Sequence, residues 1–156
     1  MRKNQAIKRE LVADPIHNSK IVTQLINSIM TDGKKSTAQK IVYNAFKIVA
    51  EKTKQEALEV FEKAIANITP QLEIKTRRIG GANYQVPIEV SQVRKGTLAI
   101  RWLVSYSKSR HGKSMQEKLA AEIMDAATGN GGSIKKRDEI HRMAESNKAF
   151  AHYSKW

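Results

Sequence analysis

The sequence predicts a mostly α-helical fold in which about six helices form a single helical core, with a protruding two-stranded β-hairpin arm and a basic N-terminal extension. Apolar residues recur at helical spacing through most of the 156-residue chain. One stretch, at about 72–90, instead alternates apolar and polar residues around a glycine pair. A chain of this length can fold without a metal or disulfide staple, and it contains no cysteine. We expect residues 1–13 to form a flexible arm and residues 14–156 to form the folded domain.

Helix signals lie on both sides of the alternating stretch. From Ser19 the apolar pairs follow one helical stripe until Asp32-Gly33 ends it, and a fourth helix begins near Ser91. A sixth helix is predicted from Ser133 to about Phe150. The capping-box pattern, Ser or Thr followed three residues later by Glu or Gln, marks three further helix starts. The matching pairs are Ser36 with Gln39, Thr53 with Glu56, and Ser114 with Glu117.

The alternating stretch predicts a β-hairpin with Gly80-Gly81 at its tip. Pro87 has no amide hydrogen, which excludes a central strand. Because the sequence offers no third strand, we expect the hairpin to project as an arm braced at its base, roughly 20 Å long at about 3.3 Å per residue. Three cationic residues lie on it, namely Lys75, Arg77 and Arg78.

Positive charge is the main functional signal of the sequence. The chain has a net charge of +13, of which residues 1–40 carry +5 and residues 71–113 carry +7. Two segments of the same sign repel themselves, and a polyanion relieves that repulsion. The pattern favours nucleic acid over a merely solubilising surface. A membrane partner is not expected, because no basic amphipathic helix carries this charge and no apolar run approaches the roughly 20 residues that span a bilayer.

Signatures of catalysis and of metal or cofactor binding are absent from the sequence. Gly33-Lys34-Lys35-Ser36 lacks the upstream glycine and the hydroxyl position of a phosphate-binding loop. The glycine-rich segment 129–132 follows a helix, whereas a dinucleotide fingerprint follows a strand. The four histidines have no metal-ligand spacing, and His141 with Glu145 is expected to be a surface pair. We therefore expect no enzymatic activity, no cofactor and no metal site.

The basic residues of the two charged segments are the candidate RNA-contacting residues. Their contacts to phosphate oxygens supply affinity and register, and a rigid body can match the irregular phosphate spacing of a folded RNA. Lysines in 47–63 lie among glutamates and are expected only to solvate that face, while Arg101 and Lys118 could be neutralised by acidic residues of the fifth helix. For Trp102 and Tyr106, core packing is favoured over base stacking. The candidates are Arg2, Lys3, Lys8, Arg9, Lys34, Lys35, Lys75, Arg77, Arg78, Arg94, Lys95, Arg110 and Lys113.

Three motifs, in this order, resemble the bacterial small-subunit ribosomal protein seven family. They are Arg77-Arg78-Ile79-Gly80-Gly81-Ala82-Asn83-Tyr84-Gln85-Val86-Pro87, then Leu98-Ala99-Ile100-Arg101-Trp102-Leu103, then His141-Arg142-Met143-Ala144-Glu145 with Ala149-Phe150-Ala151-His152-Tyr153. Asp14-Pro15 and Gly33-Lys34-Lys35-Ser36 are similar as well, so the resemblance covers essentially the whole chain. It implies a structural constituent of the small ribosomal subunit, in the cytoplasm or in an organelle, that binds the 3′ major domain of 16S rRNA and nucleates head assembly.

The resemblance also implies neighbours and a side for each basic segment. The implied neighbours are small-subunit ribosomal proteins nine and eleven, with the exit-site tRNA and mRNA nearby, and some family members bind their own mRNA. The arm from Arg2 to Arg9 and the pair Lys34-Lys35 would lie on the rRNA side. The hairpin residues near the exit-site tRNA would be Arg77, Arg78, Gly80, Gly81, Asn83 and Tyr84. This chain departs from the family pattern at His17, where Tyr is common, and in having 19 lysines to 9 arginines.

Two other functions remain open from the residues alone. A helical body with a basic β-arm can also grip the minor groove of DNA as an architectural protein. Such an arm should carry an apolar wedge at its tip, where this chain offers nothing larger than Ile79. A third hypothesis is a basic enzyme of RNA modification, but the sequence has no cofactor-binding or catalytic signature to support it.

Overall fold

The structure, a computed structural model, describes residues 9–155, and the side chains of residues 9–153. The described chain contains six α-helices, one C-terminal 3₁₀ helix and an antiparallel two-stranded hairpin, which confirms the predicted fold class. In chain order the elements are α1 (Lys20–Ile29), α2 (Lys35–Thr53), α3 (Ala57–Ile68), β1 (Leu72–Ile79), β2 (Ala82–Glu89), α4 (Gln92–Ser109), α5 (Met115–Ala127), α6 (Gly132–Ser146) and the 3₁₀ helix (Lys148–Lys155).

The hydrophobic core is built around α5, which packs against α2, α3 and α4. Leu119 and Ile123 of α5 have no exposed surface and belong to the same buried cluster as Phe46 and Phe61, whose ring centroids are 5.4 Å apart. Each of these helices turns one apolar stripe inward, as the helical spacing predicts. Trp102 packs against this cluster from its edge, as expected.

Two of the three predicted capping boxes are wrong. Helix α2 begins one residue before Ser36, because the Asp32-Gly33 turn, with positive φ at both residues, already directs the chain into it. Thr53 lies in the last turn of α2, where its hydroxyl donates to the Val49 carbonyl at 2.7 Å instead of capping α3. Only Ser114 caps as predicted, with the Glu117 amide donating to its Oγ at 3.4 Å.

The sixth helix is shorter than predicted. It ends at Ser146 instead of near Phe150, and the chain continues as the 3₁₀ helix, which packs against β2. A 3₁₀ helix is tighter than an α-helix, and this one brings the segment after Ser146 against the hairpin.

The hairpin has the predicted ends and tip. Its strands pair in register from Leu72 with Glu89 to Ile79 with Ala82, and Gly80 and Gly81 form the two-residue turn with φ of +56° and +89°. Positive φ at both central residues is the turn geometry that matches the twist of paired strands. At the base, the Gln71 amide donates to Nε2 of His141 at 3.1 Å. The predicted surface pairing of His141 with Glu145 is therefore replaced by a contact that holds the hairpin to α6.

The chain enters the helical body through Asp14, whose side chain is 3% exposed. Its carboxylate accepts hydrogen bonds from the amides of Ile16 and His17, at 3.2 and 3.1 Å, and from the Tyr43 hydroxyl at 2.6 Å. Burial by itself raises the pKa of Asp14, but these hydrogen bonds outweigh burial and bring the pKa below 3.8. Burial, and then the hydrogen bond to Asp14 and its negative charge, raise the pKa of Tyr43 to about 12.

Replacing both tip glycines, Gly80→Val with Gly81→Val, should disorder the hairpin and leave the helical body intact. An added Cβ meets no atom within 4 Å at either position, so the cost comes from positive φ, about 1–2 kcal/mol per residue. Amide hydrogen exchange should show loss of protection in β1 and β2, with an unchanged Tm for the helical signal. Gly96→Ala, within α4 and also without a neighbour within 4 Å, is the control and should not destabilise the protein. A large fall in Tm would place the hairpin in the core.

Tyr43→Phe should lower the free energy of unfolding by about 1–3 kcal/mol near neutral pH, because it removes a hydrogen bond to a buried carboxylate. Tyr43 has a raised pKa, so its contribution is fully present below pH 10 and is lost as the pH rises toward about 12. Asp14 has a lowered pKa, so its contribution is present above pH 3.8 and is lost as the pH falls further. Denaturant unfolding of both proteins should show a difference that narrows at both extremes. A difference independent of pH would contradict this assignment.

Candidate nucleic-acid interface

The Lys34-Lys35 pair lies at the start of α2 and is fully presented to solvent. Lys34, Lys35, Ser36 and Thr37 are all exposed, and no acidic residue occurs in the first turn of this helix. A helix N-terminus has unpaired amides and a partial positive charge, which attract anions. The two lysine side chains and the N-terminus of the helix therefore all favour binding of a phosphate at this place.

The hairpin presents positive charge on both of its faces. Lys75 and Arg78 are exposed, whereas Arg77 is half-buried. Adjacent strand residues point to opposite faces, so Arg77 and Arg78 diverge. The tip residues Gly80, Gly81 and Asn83 are exposed and small, which lets the backbone approach a partner closely. Lys75, Arg77 and Arg78 thus all lie on strand β1 of the arm, as the sequence predicts, but on both of its faces.

Two predicted basic residues hold the base of the hairpin to α4. Nε of Arg94 lies 2.6 Å from Oε2 of Glu73, and Nζ of Lys95 donates to Oε1 of Gln71 at 2.8 Å. The Arg94 side chain is 50% exposed, and exposed pairs of this kind contribute little to stability. Arg94 therefore remains available to a phosphate on its open side while it contacts the strand.

Arg110 forms ion pairs with acidic residues of α5. Its guanidinium binds the carboxylates of both Glu122 and Asp125, and Glu122 is buried. Burial alone lowers the pKa of Arg110, but Asp125 and Glu122 raise it more, so the charge is held. The sequence suggests Arg101 or Lys118 as the partners of the acidic residues of α5, but in the structure Arg110 is the partner of both Glu122 and Asp125. Two of the five N–H donors of Arg110 are thus used within the chain, whereas Lys113 nearby is exposed.

The remaining predicted residues of the arm are only partly described. Arg9 is exposed. Arg2, Lys3 and Lys8 lie outside the described residues.

Sequence reasoning missed a basic groove between α1 and α4. It encloses about 390 Å³, and no carboxylate lines it. Arg101 and Lys108 are exposed, and within the described chain no contact pairs either of them with an acidic residue. They lie seven residues apart on one face of α4, and this spacing was the available signal. The lining residues are Ser28, Thr97, Arg101, Val104, Ser105 and Lys108.

The chemistry of these surfaces is that of phosphate binding. Cations and hydroxyls dominate them, and both kinds of group bind phosphate oxygens. Among residues 9–155, no cluster of three or more His, Asp or Glu side chains is arranged to hold a metal ion. No helix in the same part of the chain combines the length and apolarity needed to cross a membrane.

Comparison with known proteins shows the family. The family described as "Ribosomal protein S7p/S5e" matches residues 1–148. A small ribosomal subunit protein uS7 from Mesoplasma florum is 62% identical over 153 residues, which are 98% of this chain and 99% of the relative. The proteins of the same name from Finegoldia magna and Carboxydothermus hydrogenoformans are 62% and 59% identical over 152 residues, 97% of each chain. This chain belongs to the ribosomal protein S7 family.

Proposed function

We propose that this chain is a non-catalytic, structural constituent of the small ribosomal subunit that binds 16S rRNA through its basic surfaces. The observation that carries this proposal is the uncompensated charge of Lys34-Lys35 and of the groove with Arg101 and Lys108 on one helical body. Its relatives are named as small ribosomal subunit proteins. In bacterial relatives this location is the cytoplasm.

The finer proposal is that the 3′ major domain of 16S rRNA is the target and that binding nucleates assembly of the head. A buried helical core holds the cationic surfaces at fixed separations, so the protein selects an RNA shape in which phosphates lie at matching distances. Binding releases condensed counterions, which makes the affinity steeply dependent on salt. Arg9 and the residues before it would extend this contact along the RNA.

The hairpin is proposed to face the exit-site tRNA, with mRNA nearby. Its tip, Gly80-Gly81 with Asn83, is narrow enough for the backbone to approach a nucleic-acid strand, and Lys75 and Arg78 are exposed along it. Small-subunit proteins nine and eleven are the proposed protein neighbours, and binding to its own mRNA would use the same basic surfaces.

A DNA architectural role is less well supported than RNA binding. Minor-groove binders of that kind insert an apolar wedge between base pairs. Ile79, the largest apolar residue beside the tip, is half-buried, and the exposed tip residues are small or polar. The hairpin therefore offers no wedge.

A salt titration of binding tests the proposal. The three ligands are a transcript of the rRNA 3′ major domain, a scrambled RNA and a duplex DNA, all of equal length. We expect the 3′ domain to bind several orders of magnitude more tightly at physiological salt, because shape adds to the phosphate contacts. Equal affinities for all three would reduce the function to generic polyanion binding and contradict the proposal.

Charge reversal tests the two surfaces. Lys34→Glu with Lys35→Glu should weaken binding of the 3′ domain and reduce the slope of log K against log salt by about 0.7–0.9 for each lost phosphate contact. Arg101→Glu with Lys108→Glu should do the same. Lys52→Glu with Lys63→Glu is the control, since these exposed lysines lie among glutamates and should leave the slope nearly unchanged. An unchanged slope for either test pair would remove that pair from the interface.

A further inference from the structure

The hairpin needs support from outside its own two strands. A two-stranded sheet is marginally stable by itself, and the described chain has no third strand. The contacts of Gln71 with His141 and of Glu73 with Arg94 hold only the base. Those contacts alone leave the outer half of the arm free to swing.

Three aromatic rings make a second attachment near the tip. Tyr84, the third residue of β2, has its ring centroid 5.3 Å from that of Phe150 and 5.3 Å from that of Tyr153. Phe150 and Tyr153 lie 6.4 Å apart, nearly parallel, on the 3₁₀ helix. These separations fall within the roughly 4.5–7 Å of favourable aromatic pairs. The 3₁₀ helix therefore touches the arm well above its base.

The three rings are separate from the hydrophobic core. Each is half-buried, and none belongs to the cluster around α5. Their packing is therefore not needed to fold the helical body. It joins two segments of the chain that the core does not connect.

We propose that Tyr84, Phe150 and Tyr153 form an aromatic clamp that sets the direction of the hairpin relative to the helical body. They are positioning residues for the arm. The base of the arm contacts α4 and α6, and its outer half contacts the 3₁₀ helix. With two attachment points, the arm is held in a single orientation relative to the helical body. The clamp is a property of the protein alone; its consequence for RNA rests on the function proposed above.

Distance measurements between spin labels test the clamp directly. The chain has no cysteine, so Asn83→Cys at the tip and Lys63→Cys on α3 place two labels without a background. The unclamped protein, Phe150→Leu with Tyr153→Leu, should show a distance distribution at least twice as wide as the parent. Tyr84→Phe and Tyr153→Phe keep the rings and should retain the narrow distribution.

Controls separate the clamp from general loss of stability. Val93→Ala removes an apolar group that is 78% exposed on α4, and it should leave the distribution narrow. The Tm of the helical signal should be unchanged in the double Leu variant; if it falls, Tyr153→Leu alone takes its place. An equally narrow distribution after loss of the rings would overturn the proposal.

A second readout links the clamp to RNA. An iron chelate attached at Cys in place of Asn83 cleaves nearby RNA in a complex with the 3′ domain. Loss of the clamp should spread this cleavage over more nucleotides, while the salt slope stays the same. If loss of the rings widens the distance distribution but neither the parent protein nor any variant prefers the 3′ domain over the other ligands, the clamp stands and the proposed function fails. A focused cleavage pattern with an unchanged distribution would overturn the clamp.

Discussion

The start of α6, the helix that packs against β1 and leads into the C-terminal segment, is held by one buried carboxylate, that of Glu122. A charge 1% exposed to solvent is tolerated only when it is paired and hydrogen-bonded. Arg110 supplies the positive charge, and Ser133 supplies its amide at 2.9 Å and its hydroxyl at 2.6 Å. Gly131 leaves the necessary space, since a Cβ there would lie 3.0 Å from Oε1 of Glu122. This network fixes where α6 begins, and α6 leads to every contact that the C-terminal segment makes with the arm.

The basic residues divide into two groups, those that bind other parts of the chain and those that are exposed to solvent. Arg94 and Arg110 pair with carboxylates of other elements, and Arg137 of α6 donates to the Asn67 carbonyl of α3. Among the residues that the structure describes, Lys34, Lys35 and the cations of the α1–α4 groove have no such partner and face solvent. Arginine has a planar fork suited to fixed pairs, whereas lysine is a compact, hydrated charge on a flexible stem. The pairs within the chain use the planar fork of arginine, whereas most of the exposed charge is carried by the flexible side chain of lysine.

The entrance of the chain is linked to the interface through α2. Asp14 is held by Tyr43 in the middle of this helix, and Lys34-Lys35 lies at its start. The hydroxyl of Thr23 also donates to the Val12 carbonyl at 2.9 Å, which ties the incoming chain to α1. The positions of Val12 and Asp14 are thereby held by α1 and α2, and α2 also carries Lys34-Lys35.

The sequence by itself determined the features that depend on local rules. Helical spacing predicted the helices, and period-two alternation with Gly80-Gly81 predicted the hairpin and its tip, because backbone preferences act over a few residues. Charge distribution indicated nucleic acid, and the three motifs indicated the family. Only the tertiary structure decided which charges remain free: Arg110, not Arg101, meets the acids of α5, because the packing of α4 on α5 sets that distance. The contact of Tyr84 with Phe150 and Tyr153 has the same origin, since it joins residues far apart in the chain and no local pattern encodes it.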